Sequence, residues 1–356
     1  MNHLKEIPDI LLKWYDNHAR ILPWRESPTA YRVWISEIML QQTRVEAVKP
    51  YFERFIKELP QVKDLALASE EQLVKLWEGL GYYNRVRNLQ KAAQTIMNDY
   101  KGEIPDSYEK LLELSGIGEY TAGAIASIAF GKNVPAVDGN VLRVYTRITA
   151  DKEDITKTAV KKEITKQIKN ILPQERTGDF NQSLMELGAT ICLPNGLPKC
   201  EQCPLKNLCE AKRQNLIQQI PVKTPKKKRK IEKRIVFIFY CNGKLALKKR
   251  QETGLLAGMW EFPNIEVLSD KSIETILNEW DLKAISIFEM KPAKHIFTHI
   301  EWHMKGYFIE VSDINEQFCW FIPEEIQERI AIPSAFKAFW NQPLEKIKKG
   351  EKTNEF

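Results

Sequence analysis

Up to about residue 215, apolar residues recur three and four positions apart, as in Leu65, Leu67, Leu73, Leu76 and Leu80, or Leu111, Leu112, Ile125 and Ile128. That spacing predicts helices with one face on a core. Breakers divide this half at Pro60, Gly79 with Gly81, Gly102 with Pro105, Gly116 with Gly118, Gly131 with Pro135, and Pro173, which leaves room for helices of ordinary length. Beyond residue 230 the pattern changes to short β-prone stretches, RIVFIFY, KLALKKR, AISIFEM and WHMKGYFIEV, with Asn242-Gly243 as a hairpin turn. The expected architecture is two-domain: an all-α domain followed by an α+β domain. The change of pattern coincides with a basic run, KTPKKKRKIEKR at 223–234. The expected boundaries are therefore a helical domain over 1–220, a linker over 221–230, a second domain over 231–345 and a polar tail over 346–356. No internal repeat is visible.

A chain of 356 residues exceeds what one hydrophobic core usually organises, which agrees with two domains. No apolar run approaches the ~18 residues of a membrane span, and MNHLKEIPDI at the start lacks the order of a secretion signal. The expectation is a cytosolic protein that does not enter a membrane. The formal charge of +6 says little about nucleic acid. The run at 223–234 alone contributes +7, leaving −1 for the remainder, and such blocks commonly form solvated linkers.

Six cysteines are too few for a disulfide framework in a cytosolic chain of this length. Four of them, Cys192, Cys200, Cys203 and Cys209, fall within 18 residues and offer soft ligands to one inorganic centre. Zinc and iron-sulfur are the two choices. A single compact loop supplying all four ligands points to iron-sulfur rather than to zinc knuckles. Such a centre would fold its loop, with Lys199 and Lys206 at hand for phosphate. Cys241 and Cys319 stand alone in apolar stretches and read as core.

Three further segments carry candidate chemistry. In Leu114-Ser115-Gly116-Ile117-Gly118-Glu119-Tyr120-Thr121-Ala122, two glycines lie between helical patterns. This is either a plain helix-helix turn or a hairpin whose backbone N–H groups hold a phosphate. In Val134-Pro135-Ala136-Val137-Asp138-Gly139-Asn140-Val141, Asp138 reads as a helix N-cap. A carboxylate capped in that way is expected to stay ionised, and it could stabilise a developing cation. In Tyr31-Arg32-Val33-Trp34-Ile35-Ser36-Glu37-Ile38-Met39-Leu40-Gln41-Gln42, the lone carboxylate of Glu37 either shares a solvated stripe with Gln41 or lies desolvated in a pocket. In the second case its pKa rises and it becomes a proton donor. One neutral acid and one aspartate suffice to cleave a glycosidic bond.

Taken together, these residues resemble the helix-hairpin-helix DNA glycosylases with a four-cysteine iron-sulfur loop, and within them the adenine DNA glycosylases of the MutY type. The resemblance runs from about Trp14 to Pro221. It rests on Leu22-Pro23-Trp24-Arg25, Ser36-Glu37-Ile38-Met39-Leu40-Gln41-Gln42-Thr43, Gly79-Leu80-Gly81-Tyr82-Tyr83, the glycine hairpin, Val137-Asp138-Gly139-Asn140 and the cysteine loop. Enzymes of the endonuclease III type carry a lysine at the position of Tyr120 and use it for strand cleavage. The tyrosine therefore implies a monofunctional enzyme that releases a base and leaves an abasic site. The resemblance further implies that Glu37 protonates adenine N7 and then activates water, and that Asp138 stabilises the oxocarbenium-like sugar. Tyr120 and Asn140 support them by hydrogen bonds. Arg20, Trp24, Arg25 and Gln182 fall where DNA and the flipped adenine are held, and Gln42 and Tyr82 where wedges fill the gap. Gly116 and Gly118 would grip the backbone with a structural monovalent cation, and Cys192, Cys200, Cys203 and Cys209 would hold a [4Fe-4S] cluster.

In the second half, Gly254-Leu255-Leu256-Ala257-Gly258-Met259-Trp260-Glu261-Phe262-Pro263 resembles the start of a Nudix-type α+β fold. The Arg and Glu cluster of a pyrophosphatase helix does not follow it, so pyrophosphate hydrolysis is not expected. In the MutY type this domain reads 8-oxoguanine with a Phe-Ser-His turn, matched here by Phe297-Thr298-His299. The implied partner is double-stranded DNA with A:8-oxoG or A:G mispairs, bound by a monomer in the nucleoid-associated cytoplasm. Three departures stand out. Seven residues rather than six follow Cys192, Ser115 replaces a proline, and Thr298 replaces a serine whose hydroxyl it retains. Two rivals are an endonuclease III type pyrimidine glycosylase with lyase activity and a non-catalytic DNA sensor.

Overall fold

The computed structural model describes residues 2–225, 228–267 and 271–341. The expected tail at 346–356, and residues 226 and 227 of the expected linker, lie outside the described residues. Among the described residues, twelve α-helices precede the first strand: α1 (Ile7–His18), α2 (Ala30–Leu40), α3 (Val45–Glu58), α4 (Val62–Leu67), α5 (Glu70–Leu76), α6 (Asn84–Asp99), α7 (Tyr108–Leu112), α8 (Glu119–Ala124), α9 (Gly139–Thr149), α10 (Thr158–Lys169), α11 (Thr177–Thr190) and α12 (Glu210–Arg213). Then follow β1 (Lys230–Cys241), β2 (Lys244–Lys249), β3 (Trp260–Glu261), β4 (Asn264–Glu266), α13 (Ile273–Glu279), β5 (Ala284–Ile296), β6 (Ile300–Val311), β7 (Cys319–Phe321) and α14 (Pro323–Arg329). The all-α and α+β halves are as the periodicity predicts. Among the described residues, no helix is long and apolar enough to cross a membrane.

The chain forms two compact units, and their boundary does not follow a single cut. Met1–Ala68 and Asn84–Pro225 make one, whereas Ser69–Tyr83 groups with the chain from Lys226 onward. Sequence pattern alone places 69–83 among the helices before it. In the helical unit, Ile7, Leu11, Trp14 and Tyr15 of α1 pack with Val141, Val144, Tyr145 and Ile148 of α9, and with α10 and α11. Their spacing at one and two helical turns is what brings them to one face. In place of a fully solvated linker, Val222 pairs with Asp154, and the Thr224 backbone N–H donates to Asp154 Oδ2 at 3.0 Å. Strand β1 then begins at Lys230, inside the basic run.

In the second unit the strand order is β3-β2-β1-β6-β5, with β4 paired to β1 and β7 to β2. β1 runs parallel to β6 and antiparallel to β2. Asn242 and Gly243 both take positive φ, 47° and 81°, as the predicted two-residue hairpin requires. Alternation along β1 sends Val236 and Ile238 to a core with Phe336 and Phe339, and Phe237 and Phe239 to another under α13. Both faces are covered, so the strand reads as a continuous apolar run. Cys241 is buried as expected, but Cys319 is exposed on the short strand β7 and is not a core residue.

A close approach fixes the frame around the candidate site. Gly123 of α8 has Pro135 O only 2.1 Å from where a Cβ would stand, so the segment leading to Asp138 lies directly on the helix that carries Tyr120. A π-helical turn over Ile125–Ala129 extends that helix. Gly123→Ala is expected to lower stability by about 1–3 kcal/mol through overpacking, read as a reduced denaturant midpoint with unchanged m-value.

Candidate active site in the helical unit

Helix α2 starts at Thr29, whose hydroxyl accepts the Arg32 N–H, and nearly all of its side chains from Tyr31 to Met39 are buried. Glu37 is therefore carried inward and is only 7% exposed; the solvated-stripe reading fails. The Tyr120 hydroxyl, near the start of α8, donates to Glu37 Oε2. Burial pushes the Glu37 carboxyl up to about 7, against the Tyr120 hydrogen bond and the Arg25 charge, while the Asp138 charge adds to the rise. Burial and the two carboxylates also hold the Tyr120 phenol far above its ordinary range, so it stays neutral and donates.

Asp138 is the N-cap of α9. Its Oδ1 accepts from Val141 N at 2.7 Å and its Oδ2 from Asn140 Nδ2 at 2.6 Å. These bonds, with Arg143, lower its pKa, but burial outweighs them and the net shift is upward. The N-cap role expected of Asp138 is present, and its buried setting adds a rise in pKa that its own sequence does not reveal. Arg143 donates to Asn140 Oδ1, Gly188 O and Cys192 O, each at 2.8 Å. One guanidinium thus ties the surroundings of Asp138 to the cysteine loop.

Glu37, Tyr120, Asp138 and Asn140 line one cleft of about 910 Å³ together with Arg20, Trp24, Arg25, Gln42, Gly118 and Gln182. Ten residues singled out from the sequence therefore meet in a space of the size that holds a small organic group. Arg25 donates from Nε to Gln182 Oε1 at 3.1 Å and from Nη2 to Glu186 Oε2 at 2.9 Å, and Arg20 pairs with the same carboxylate. Glu186 is 1% exposed. Burial raises its pKa, but the two arginines outweigh that and hold it below the usual range. The sequence reading does not single out Glu186, whose helix also carries Asp179, so nothing local sets it apart.

The hairpin glycines differ. Gly116 has φ of 76°, with Asn88 Cβ 2.8 Å from a would-be Cβ, so it is required by the fold. Gly118 lies in extended backbone at φ −98° as the N-cap of α8, with open space at its Cβ position. Only Gly116 needs positive φ. Gln42, just past α2, takes φ of 58°, a strained value for a residue with a side chain.

Cys192, Cys200, Cys203 and Cys209 are half-buried and line one small cavity of about 30 Å³ with Lys206 and Lys212. Arg147 Nη1 lies 3.3 Å from Cys192 Sγ. Burial pushes the Cys203 thiol up to about 12 and raises Cys200 and Cys209 as well. As placed, no group of three or more His, Cys, Asp or Glu side chains among the described residues is arranged to hold a metal ion. The donor set around the cavity is nonetheless all sulfur.

The remaining predicted residues belong to the second unit. Phe297, Thr298 and His299 form the turn between β5 and β6, closed by Phe297 N donating to Ile300 O at 2.8 Å. The Phe297 ring packs edge-on against His295 and Trp302, while Thr298 and His299 are exposed. Tyr82, 48% exposed and at φ of 50°, reaches Thr298: its hydroxyl lies 3.2 Å from Thr298 Oγ1. The larger cleft of that unit, about 1040 Å³ between α13 and the sheet, contains none of these residues.

Residues 35–170 match the family model of the HhH-GPD superfamily base excision DNA repair proteins, and residues 234–342 match that of the NUDIX domain. A helical unit of this fold, with two buried acids facing one cleft, defines the class as a base excision repair glycosylase. The chain is 37% identical to the adenine DNA glycosylase of Mus musculus over 361 residues, 85% of this chain and 70% of that protein. It is 36% identical to the adenine DNA glycosylase of Buchnera aphidicola subsp. Acyrthosiphon pisum over 310 residues, 87% of this chain and 88% of that protein. An endonuclease III solved in a non-covalent complex with DNA superposes with a TM-score of 0.52 at 25% identity, over 60% of this chain and 97% of that one. The chain belongs to the adenine DNA glycosylases.

The Glu37 shift has a stability consequence. The folded state keeps a proton that the unfolded chain releases near 4.5. The stability linked to Glu37 is therefore fully present below that pH and is lost as pH rises to about 7, a total of about 3 kcal/mol. Between pH 5 and pH 8, Glu37→Gln is expected to gain stability relative to the parent by close to that amount, measured by denaturant unfolding at each pH.

Proposed function

We propose that this chain releases adenine mispaired with 8-oxoguanine or guanine in double-stranded DNA by hydrolysis of the N-glycosidic bond, leaving an abasic site without cutting the strand. The observation that carries the reading is Glu37, buried in the cleft with its pKa raised to about 7 and Asp138 lining the same space. An adenine nucleotide loses its base readily only after protonation. Glu37, still partly protonated at neutral pH, hands its proton to adenine N7, and the Tyr120 hydroxyl holds the carboxyl in place throughout. As the bond lengthens, positive charge grows on the deoxyribose, and Asp138 stabilises it as an anion. The donors from Val141 and Asn140 favour that ionised form. Glu37, now a carboxylate, takes a proton from the attacking water.

Arg25 and Gln182, braced by Glu186, hold the flipped adenine, with Arg20 and Trp24 beside them. Gln42 and Tyr82, both at positive φ outside the helices, fill the gap. Thr298, with Phe297 and His299, reads 8-oxoguanine through its hydroxyl. Gly116 and Gly118 grip the backbone with a monovalent cation. The four cysteine thiolates suit a [4Fe-4S] cluster, which when bound would brace the loop. Such a loop hangs on Arg143 and Arg147. The enzyme acts as a monomer in the nucleoid-associated cytoplasm.

Tyr120, in place of a lysine, argues against the endonuclease III type of lyase, and borohydride should trap no covalent DNA adduct. Single-turnover adenine release from A:8-oxoG duplexes, with alkali to reveal abasic sites, is the direct test. The rate should fall as pH rises beyond about 7, following loss of the Glu37 proton. Glu37→Gln should lose at least about 10²-fold in rate while still binding the mispair. Unchanged turnover in that variant removes the proton-donor role. Purified protein should contain iron and acid-labile sulfide in equal amounts, and Cys203→Ser should lose both.

A further inference from the structure

Tyr82 follows α5 in sequence but is built into the second unit. Two charged side chains fasten that segment. Lys75, in the last turn of α5, donates from Nζ to Ile330 O at 3.0 Å, just past the C-terminal end of α14, and to Ile326 O at 3.4 Å, which also accepts the Ile330 N–H. Glu78, one turn further, accepts the Ile332 N–H at 3.0 Å and pairs with Lys75 at 2.8 Å. A cation and an anion three residues apart thus satisfy both the last carbonyls of a helix and an amide just beyond it. Between them Trp77 is fully buried, and its indole N–H donates to Gly81 O at 3.1 Å. That bond closes the turn in which Gly81 and Tyr82 both adopt positive φ, 71° and 50°. The base of Tyr82 is held by this turn and its hydroxyl by Thr298.

We propose that Lys75 and Glu78 are positioning residues that clasp the wedge tyrosine to the lesion-reading turn, so that Tyr82 and Thr298 meet DNA as one rigid body and together set the preference for 8-oxoguanine over guanine. The proposal rests on the roles given above to Tyr82 and Thr298. Neither clasp residue touches the cleft, and both act through the turn they fix. The geometry predicts which property the clasp governs. Discrimination between lesion and normal guanine depends on where the wedge tip and the Thr298 hydroxyl stand relative to each other, and a released α5 lets that separation vary.

The experiment measures dissociation constants of the full-length protein for duplexes carrying a tetrahydrofuran abasic analogue opposite 8-oxoguanine and opposite guanine. Lys75→Met should lower the 8-oxoguanine preference by about threefold or more, and Lys75→Arg, which keeps donors at that end of α14, should restore most of it. Tyr82→Ala should lower the preference too, and Lys75→Met should add no further loss in the Tyr82→Ala background. Glu78→Gln, which removes the charge while keeping an acceptor, should fall between the parent and Lys75→Met. Multiplying effects of Lys75→Met and Tyr82→Ala, or a preference untouched by Lys75→Met while hydrogen exchange at the Ile332 amide accelerates, would overturn the clasp. If Tyr82→Ala and Thr298→Val both leave the preference intact, the assignment of lesion reading to this turn fails instead, and the two failures are distinct.

Discussion

The arrangement of the helical unit follows from one buried carboxyl. Glu37 sits on a helix whose other side chains, from Tyr31 to Met39, are almost all buried, so its carboxyl is withdrawn from bulk solvent and faces only the cleft. A buried acid with no partner costs several kcal/mol, and the Tyr120 hydroxyl is the group placed to meet it. Tyr120 must in turn come close, which requires α8 to lie against the 134–138 segment at a distance that only Gly123 allows. Gly188 allows the same kind of approach on the other side, where Asn140 Cβ stands 2.6 Å from a would-be Cβ. The glycines of the site region serve the carboxyl as much as they serve any ligand.

Two acids in one cleft acquire different chemistry from their donors. Glu37 has a single hydroxyl donor and a pKa of about 7. Asp138 is also buried, but it receives backbone and side-chain N–H groups and the field of Arg143, all of which favour its charged form. The contrast is one of hydrogen-bond supply rather than of burial. Because Arg143 also holds Cys192 O and Gly188 O, the path of the cysteine loop and the support of Asp138 share one guanidinium.

Periodicity made the two halves, the β1-β2 hairpin and the long strands β5 and β6 legible, because each carries its pattern locally. Residue chemistry made Glu37, Asp138 and the glycine hairpin legible, because lone acids and glycine pairs stand out against an apolar background, while the other cleft residues were legible only through the family resemblance. What escaped depends on distant partners. Glu186 looks like any helical glutamate until Arg20 and Arg25, more than 150 residues away, are brought to it. Nothing local in 69–83 says that Lys75 pairs with carbonyls 250 residues on. Cys319 lies in an apolar sequence, yet its strand is short and at the margin of the sheet, so the thiol faces outward. The upward shift of Asp138 likewise comes from the packing of α9 against neighbouring helices, which its own cap sequence does not encode.

The division of the chain into units separates the candidate residues into two groups. Here the acids occupy the unit made of 1–68 and 84–225, while Tyr82 and the 297–299 turn occupy the unit made of 69–83 and the chain beyond 225. The backbone passes between the units three times, after residues 68, 83 and 225. The first two crossings bracket Tyr82, and α6 begins at Asn84, directly after Tyr83. The segment that carries Tyr82 is therefore joined by peptide bonds at both of its ends to the unit that holds Glu37 and Asp138.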